Sequence, residues 1–119
     1  MTKRSNQPSG DVAVVTKTKT AKKVAKPPLY KVLLHNDDFT TMEFVVAVLE
    51  AIFHHSEAAA SAIMLHIHRH GVGVAGVFTY QIAEAKVAEV MHAAEKAEYP
   101  LLCTLEPDES SDDGENSQK

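Results

Sequence analysis

Apolar residues first gather at Leu29-Tyr30-Lys31-Val32-Leu33-Leu34-His35, a short aliphatic run closed by Asn36-Asp37-Asp38, which predicts a first strand. Apolar positions then recur at Met42, Val45, Val46, Leu49, Ile52 and Phe53, the spacing of a helix with a broad buried face, from Thr40 to about His54. Thr40 and Glu43 have the S/T-x-x-E spacing of a capping box, so Thr40 is expected to cap this helix while Glu43 reaches back. Ser56 is expected to cap a second helix that runs to His70 and stops at Gly71. Ala60, Ile63, Met64 and Ile67 share one face of it, with His68 at the edge. The Gly- and Val-rich stretch from Gly71 to Phe78 is too glycyl for a helix and predicts the second strand. Thr79 then opens a third helix with Ile82, Ala83, Val87, Val90, Met91 and Ala94 inward and Glu84, Lys86, Glu89 and Glu95 outward, ended by Tyr99-Pro100. Leu101-Leu102-Cys103-Thr104-Leu105 predicts the third strand.

The order β-α-α-β-α-β lacks regular βαβ repetition. It predicts an α+β fold, a small three-stranded, mainly antiparallel sheet packed with three helices, with the strand order left open. Residues 29 to 106 form the expected domain. Residues 1 to 28 mix Lys, Thr, Ser and Pro with one short apolar patch, and residues 107 to 119 are acidic and polar. Neither end can bury enough surface to offset its ordering entropy, so both are expected to be disordered tails.

Composition narrows the classes. With 119 residues, 45% of them hydrophobic, the chain can hold one modest core. Its apolar runs fall well short of the ~20 residues of a membrane span, and the Lys-rich start lacks a signal-peptide apolar region; a cytoplasmic protein without membrane contact is expected. Cys103 is the single cysteine, which excludes an internal disulfide and suggests a buried small hydrophobe. The net charge of -4 hides a segregation, with Lys3, Arg4, Lys17, Lys19, Lys22, Lys23 and Lys26 at one end and Asp108, Glu109, Asp112, Asp113 and Glu115 at the other. The basic segment has no aromatic residue to stack on bases, so no nucleic-acid partner is expected.

Three polar residues, Asn36, Asp37 and Asp38, stand at the mouth of a strand-to-helix corner with Met42 and Val45 just beyond. An anion site, a metal site and a site for a cation carried on an apolar group all compete there, beside the simpler reading that these residues serve the turn itself. Free N–H groups of a helix start attract anions, but Asp37 and Asp38 oppose them. Adjacent carboxylates before a hydrophobic run lack the alternating ligands of a calcium loop. His66 and His70 are one helical turn apart, but no HExxH and no cysteine pair accompanies them, so neither a metal nor another cofactor is expected. Cys103 with His68 lacks the electropositive exposure that activates a thiol. Gly71-x-Gly73-x-x-Gly76 precedes a strand instead of following one, against a dinucleotide loop. No catalytic residue and no enzyme activity are expected.

Tyr30 to Thr40, Met42-Glu43-Phe44-Val45, Met64-Leu65, His68, Gly76-Val77-Phe78 and Pro100 to Glu106 together resemble the ClpS adaptor family, over roughly residues 27 to 107. The resemblance implies an adaptor that binds the exposed N-terminal residue of N-degron proteins and peptides and delivers them to a Clp AAA+ chaperone and its peptidase, acting as a monomer. It implies that Asn36, Asp38 and His68 hold the substrate's α-amino group, with Asp37 contributing backbone contacts. Thr40, Met42, Val45, Met64, Ile67 and Leu101 would line a pocket for a bulky first side chain, Leu, Phe, Tyr or Trp. Docking to the N-terminal domain of a ClpA-like chaperone would fall near Gln81, Glu84 and Lys86. An ammonium has three donors, and a carboxylate, an amide oxygen and a neutral imidazole nitrogen make a sensible set of acceptors for it. The chain departs from the family pattern in Thr41, where proline is usual, in Gln81, where glutamate is common, and in Ile67, where valine is common. The ribosomal stalk protein's C-terminal domain is similar in architecture and is the alternative from another class, because fold does not fix function.

The stretch from Met1 to Lys26 is poorly hydrophobic and contributes nothing to the implied pocket, and in proteins of this resemblance such an extension engages the chaperone's translocation machinery. Deleting Met1 to Val24 is therefore expected to leave peptide affinity and helix content unchanged while stopping degradation of an N-degron reporter by the cognate chaperone and peptidase. Degradation at the full-length rate would identify the segment as an inert tail.

Overall fold

The computed structural model describes residues 26–109; the expected basic extension up to residue 25 and the acidic tail from residue 110 lie outside them. Six elements follow one another: β1 (Leu29–His35), α1 (Met42–Ala51), α2 (Glu57–His70), β2 (Val72–Thr79), α3 (Tyr80–Ala97) and β3 (Leu102–Pro107). The strands form one sheet in the order β2-β1-β3, with both pairings antiparallel. The expected class and element order hold. Among the described residues no helix is long and apolar enough to cross a membrane.

β1 is the central strand, and its alternation decides which face meets the helices. Val32 and Leu34 are completely buried with Leu49, Ile67, Ala75, Val90 and Cys103 in one core. The opposite face of β1 carries cross-strand polar pairs, a Lys31–Glu106 ion pair at 3.3 Å and a His35 Nε2 to Thr104 Oγ1 hydrogen bond at 2.9 Å. β3 continues past the expected Leu105, because Glu106 and Pro107 still pair with Lys31 and Tyr30, and Asp108 N–H donates to the Leu29 carbonyl at 2.8 Å.

The β1–β2 register shifts between Val32 and Leu33, whose partners are Gly76 and Val74. Ala75 is thus the extra residue of a bulge. Its carbonyl is not left unsatisfied, since His55 Nε2–H donates to it at 2.6 Å and ties the α1–α2 connection to the sheet.

α3 lies across all three strands, α2 packs on β2, and α1 packs on α2. Within α3 only part of the expected inward set is buried. Ala83, Val90 and Ala94 are covered, whereas Ile82 is 50% and Met91 38% exposed. The covered stripe is narrow, two alanines and a valine, and the flanking residues are left beside it. Thr79 has the extended geometry of an N-cap, but its side chain makes no capping bond.

The corner between β1 and α1 corrects the expected capping box. Asp37 Oδ1 accepts from the backbone N–H of Phe39 at 2.8 Å and of Thr40 at 2.7 Å, and Asp37 Oδ2 accepts from the Thr40 hydroxyl at 2.7 Å. Thr40 is therefore turned inward as a donor. The helix cap passes to Thr41, whose oxygen accepts from Phe44 N–H at 3.1 Å, and α1 begins one residue later. Thr41, expected at the first helical position, is the N-cap itself.

Burial pushes the Asp37 carboxyl up, but the hydrogen bonds from Thr40 Oγ1, Thr40 N–H and Phe39 N–H outweigh it and hold the group below the ordinary aspartate range. A depressed folded-state value means that Asp37 stabilises the fold above its unfolded value, near 3.8, and that this contribution is lost as pH falls through the lower folded value. Asp37→Asn cannot accept from Thr40 Oγ1 with its amide nitrogen. The variant should be about 1 kcal/mol less stable in urea at pH 7, with a gap that closes below pH ~4. A gap unchanged down to pH ~2.5 would show that the charge does not hold the corner.

Candidate functional site

Beside that corner lies a cavity of about 270 Å³ bounded by Asn36, Asp37, Asp38 and Thr40 from the loop, Met42 and Val45 from α1, and Met64, Ile67 and His68 from α2. The loop and α1, which follow each other in the chain, meet the distant α2 there because the end of β1 and the end of α2 are tied directly. Asn36 N–H donates to the Gly71 carbonyl at 2.8 Å. Gly71 ends α2 with a φ of 90°, the left-handed region that favours glycine, while Ser56 starts the helix by accepting from Ala59 N–H at 3.1 Å. Gly73, two residues on, lies against the same helix. A Cβ there would meet Ile67 Cγ1 at 2.6 Å, so only glycine lets β2 approach α2 closely enough to seat Ile67 as the inner wall.

The walls differ in kind. Ile67 is 2% and Val45 8% exposed, so the floor is rigid core, whereas Met42 at 45% forms an open lip. Met64 is half-buried between them. The polar groups sit at the mouth. Among the described residues the side chains of Asn36, Asp38 and His68 make no hydrogen bond or ion pair, so their acceptor capacity is unspent. Asp37 differs. It borders the cavity, but both carboxylate oxygens are taken up by the loop, the turn chemistry that competed with a ligand role in the sequence.

Leu101 is placed differently from the expected pocket wall. It is 2% exposed in the core and borders another depression with Met91, Tyr99 and Leu102, at the junction of α3 and β3. Leu101 stands between Pro100 and the start of β3 and belongs to the core cluster. Gln81 and Glu84 are exposed on the first turns of α3, where Tyr80 O–H donates to Glu84 Oε2 at 3.5 Å. Lys86 is not a free surface cation. Its Nζ donates to the Ile52 carbonyl at 2.7 Å, at the end of α1, and lies 5.8 Å from the centroid of Phe78 and 6.0 Å from that of Phe53.

His66 and His70 stack on the exposed face of α2 with centroids 4.2 Å apart, and His70 Nδ1–H donates to the His66 carbonyl. Among the described residues no three potential metal-ligating side chains cluster. Cys103 is buried, and burial pushes its thiol up to about 12, so it carries no thiolate at neutral pH. Sequence reasoning gave no part to the Asn36 backbone N–H or to Gly73. Glycine at both ends of the α2–β2 junction was the available signal for a close approach.

A family model described as the ATP-dependent Clp protease adaptor protein ClpS matches residues 25–104. The chain is 56% identical over 99 residues to an ATP-dependent Clp protease adapter protein ClpS of Myxococcus xanthus, covering 83% of this chain and 92% of that protein. It is 53% identical over 104 residues to the ClpS 2 protein of Bradyrhizobium diazoefficiens, covering 87% and 93%. The solved structure of Agrobacterium tumefaciens ClpS2 bound to L-phenylalaninamide superposes with a TM-score of 0.67 at 43% identity, over 70% of this chain and all of that one. The fold, the order of motifs and these relatives agree, and the chain belongs to the ClpS family of adaptor proteins for the ATP-dependent Clp protease.

Proposed function

We propose that the cavity takes the first residue of an N-degron protein or peptide, its α-ammonium at Asn36, Asp38 and His68 and its bulky hydrophobic side chain, Leu, Phe, Tyr or Trp, between Met42, Val45, Met64 and Ile67. The chain would then deliver that substrate to a Clp AAA+ chaperone and peptidase. The observation that carries this reading is the set of three unspent polar side chains at the mouth of a cavity whose inner walls are Val45, Met64 and Ile67. A buried ammonium without partners is costly, and the amide oxygen, the carboxylate and an imidazole nitrogen can each accept one of its protons. The volume, near 270 Å³, falls just below the ~300–1,000 Å³ of sites for drug-sized ligands, which suits a single residue. The ligand of the Agrobacterium relative also supports the reading, since phenylalaninamide joins a free amine to an aromatic side chain.

Burying a Leu or Phe side chain contributes about 1.5–3 kcal/mol, which separates bulky from small first residues. Exposed Gln81 and Glu84 on α3 would meet the N-terminal domain of a ClpA-like chaperone, leaving the cavity open on another side of the domain. Lys86 would support that surface from beneath, holding α3 to the end of α1.

Fluorescence anisotropy with peptides beginning with Leu or Phe tests the amine assignment. Free-amine peptides should bind, and N-acetylated ones or the Asp38→Ala protein should lose at least about tenfold in affinity, since a hydrogen bond to a charged group is worth ~1.5–3 kcal/mol. Equal affinity for free and acetylated peptides would rule the reading out.

Specificity against β-branched first residues should reside in Met42, which stands at the lip where their Cβ bulk would pass. Ile- and Val-initiated peptides should bind poorly to the natural protein, and Met42→Ala should admit them. A Leu-to-Ile affinity ratio unchanged by the substitution would show that Met42 does not guard the mouth.

A further inference from the structure

Two glycines flank the α2–β2 junction, and their backbones differ. Gly71 takes a left-handed turn, whereas Gly73 is not among the described residues of positive φ. Any residue can adopt the strand conformation of Gly73, and a glycine inside a strand weakens it because it packs no side chain. The backbone therefore does not call for glycine at 73; the space beside it does. A Cβ there would meet Ile67 Cγ1 at 2.6 Å, His66 Cδ2 at 3.2 Å and Ile67 Cδ1 at 3.6 Å. Both outer carbons of the Ile67 ethyl arm thus lie against the bare face of Gly73. His66 is exposed and can give way, whereas buried Ile67 cannot do so freely.

Neither backbone can retreat from such a contact. Gly73 pairs with Leu34 of the central strand, in a stretch of unbroken register between the pairs Leu33–Val74 and His35–Val72. Ile67 lies near the end of α2, where its carbonyl accepts from Gly71 N–H at 2.8 Å, and Asn36 N–H is tied to the carbonyl of the same Gly71. Strand and helix are thereby held at a fixed separation. Ile67 is 2% exposed, so solvent offers its side chain no other place, and the open space it borders is the cavity.

We infer that Gly73, which does not itself border the cavity, is a positioning residue that decides how large a first side chain the cavity admits, by giving the ethyl arm of Ile67 a seat outside it; the inference rests on the reading of the cavity as the site of the first residue. With alanine at 73 the arm turns into a space of only about 270 Å³. Isoleucine is stiff at χ1 in a helix, so the arm has few alternative positions and moves as a step, not by degrees. A phenyl ring then loses its room before the smaller leucine side chain does. One methylene's worth of space in an apolar pocket decides between ligands by about 10- to 200-fold.

The test uses the full chain and two peptides that differ only in their first residue, Leu in one and Phe in the other. Affinity is read by fluorescence anisotropy, and circular dichroism with urea unfolding checks that each protein is folded. The natural protein should bind both peptides. Gly73→Ala should keep Leu affinity within about threefold and lose at least about tenfold for Phe, the low end of what one methylene decides. The Gly73→Ala, Ile67→Val protein, which lacks the outermost carbon of the arm, should recover most of the Phe affinity, a rescue that a merely weakened strand would not show. A Leu-to-Phe ratio unchanged by Gly73→Ala overturns the inference and leaves the cavity reading standing. An equal loss for both peptides does the same, since it means that α2 has moved as a whole. A Gly73→Ala protein that does not fold shows that the arm cannot turn into the cavity, and a doubly substituted protein that regains no Phe affinity shows that the arm is not the obstacle; either result overturns the inference. Binding of Leu but not Phe by the natural protein shows that the seat leaves no room for a ring and also overturns it. Failure of the natural protein to bind either peptide overturns the cavity reading itself.

Discussion

One backbone hydrogen bond governs where everything else in the candidate site can stand, the donation from Asn36 N–H to the Gly71 carbonyl. It joins the residue just after β1 to the residue that caps the end of α2. Asn36 is itself one partner, with Asp38 close beyond it, and His68 lies just before the other. Together with the neighbouring His35–Val72 pair of the sheet, it fixes the spacing between the polar groups. A backbone contact does this well because it has few torsions to order, and a longer side-chain tie would lose more entropy on forming. It also explains why Gly71 is needed: the left-handed turn that ends the helix aims its carbonyl at the strand instead of along the helix axis.

Around that tie, neighbouring residues of similar chemistry are divided between holding the loop and facing the cavity. Asp37 and Asp38 are adjacent and both acidic, yet Asp37 spends both oxygens inside the loop and Asp38 spends neither. Thr40 and Thr41 divide in the same way, one donating to Asp37 and the other capping α1. A site built this way is preorganised, since the residues that shape the loop are already satisfied and those facing the cavity need not leave another partner to bind.

Much of this is legible in the sequence. β1 was bounded by Pro28 and Asn36-Asp37-Asp38, α2 by Ser56 and Gly71, and both signals act through nearest neighbours along the chain. What misled was chemistry decided by a competitor. Thr40 had the better capping spacing, but capping spacing says nothing about a carboxylate three residues earlier that binds the hydroxyl first. Lys86 fell on the outward side of its helix by periodicity, and only the fold brings the open carbonyl of Ile52 within reach of its long side chain. Leu101 shares its apolar character with the cavity residues, and which hollow it borders depends on how α3 and β3 come together.

The order of the strands has a consequence for how the domain comes into being. The middle strand of the sheet, β1, is the earliest of the three along the chain, and one of its two neighbours is the last element of all. During synthesis from the N-terminus, an emerging β1 has one edge unpartnered until β2 is made and the other until Pro107 has been added. The pairing of Tyr30 with Pro107 closes a loop that includes nearly every described residue. That pairing spans nearly the whole domain in sequence, and the sheet cannot be completed in stages behind the growing end. Folding therefore waits for release of the C-terminal strand, and a chain interrupted before β3 would leave Val32 and Leu34 without the neighbour that closes the core.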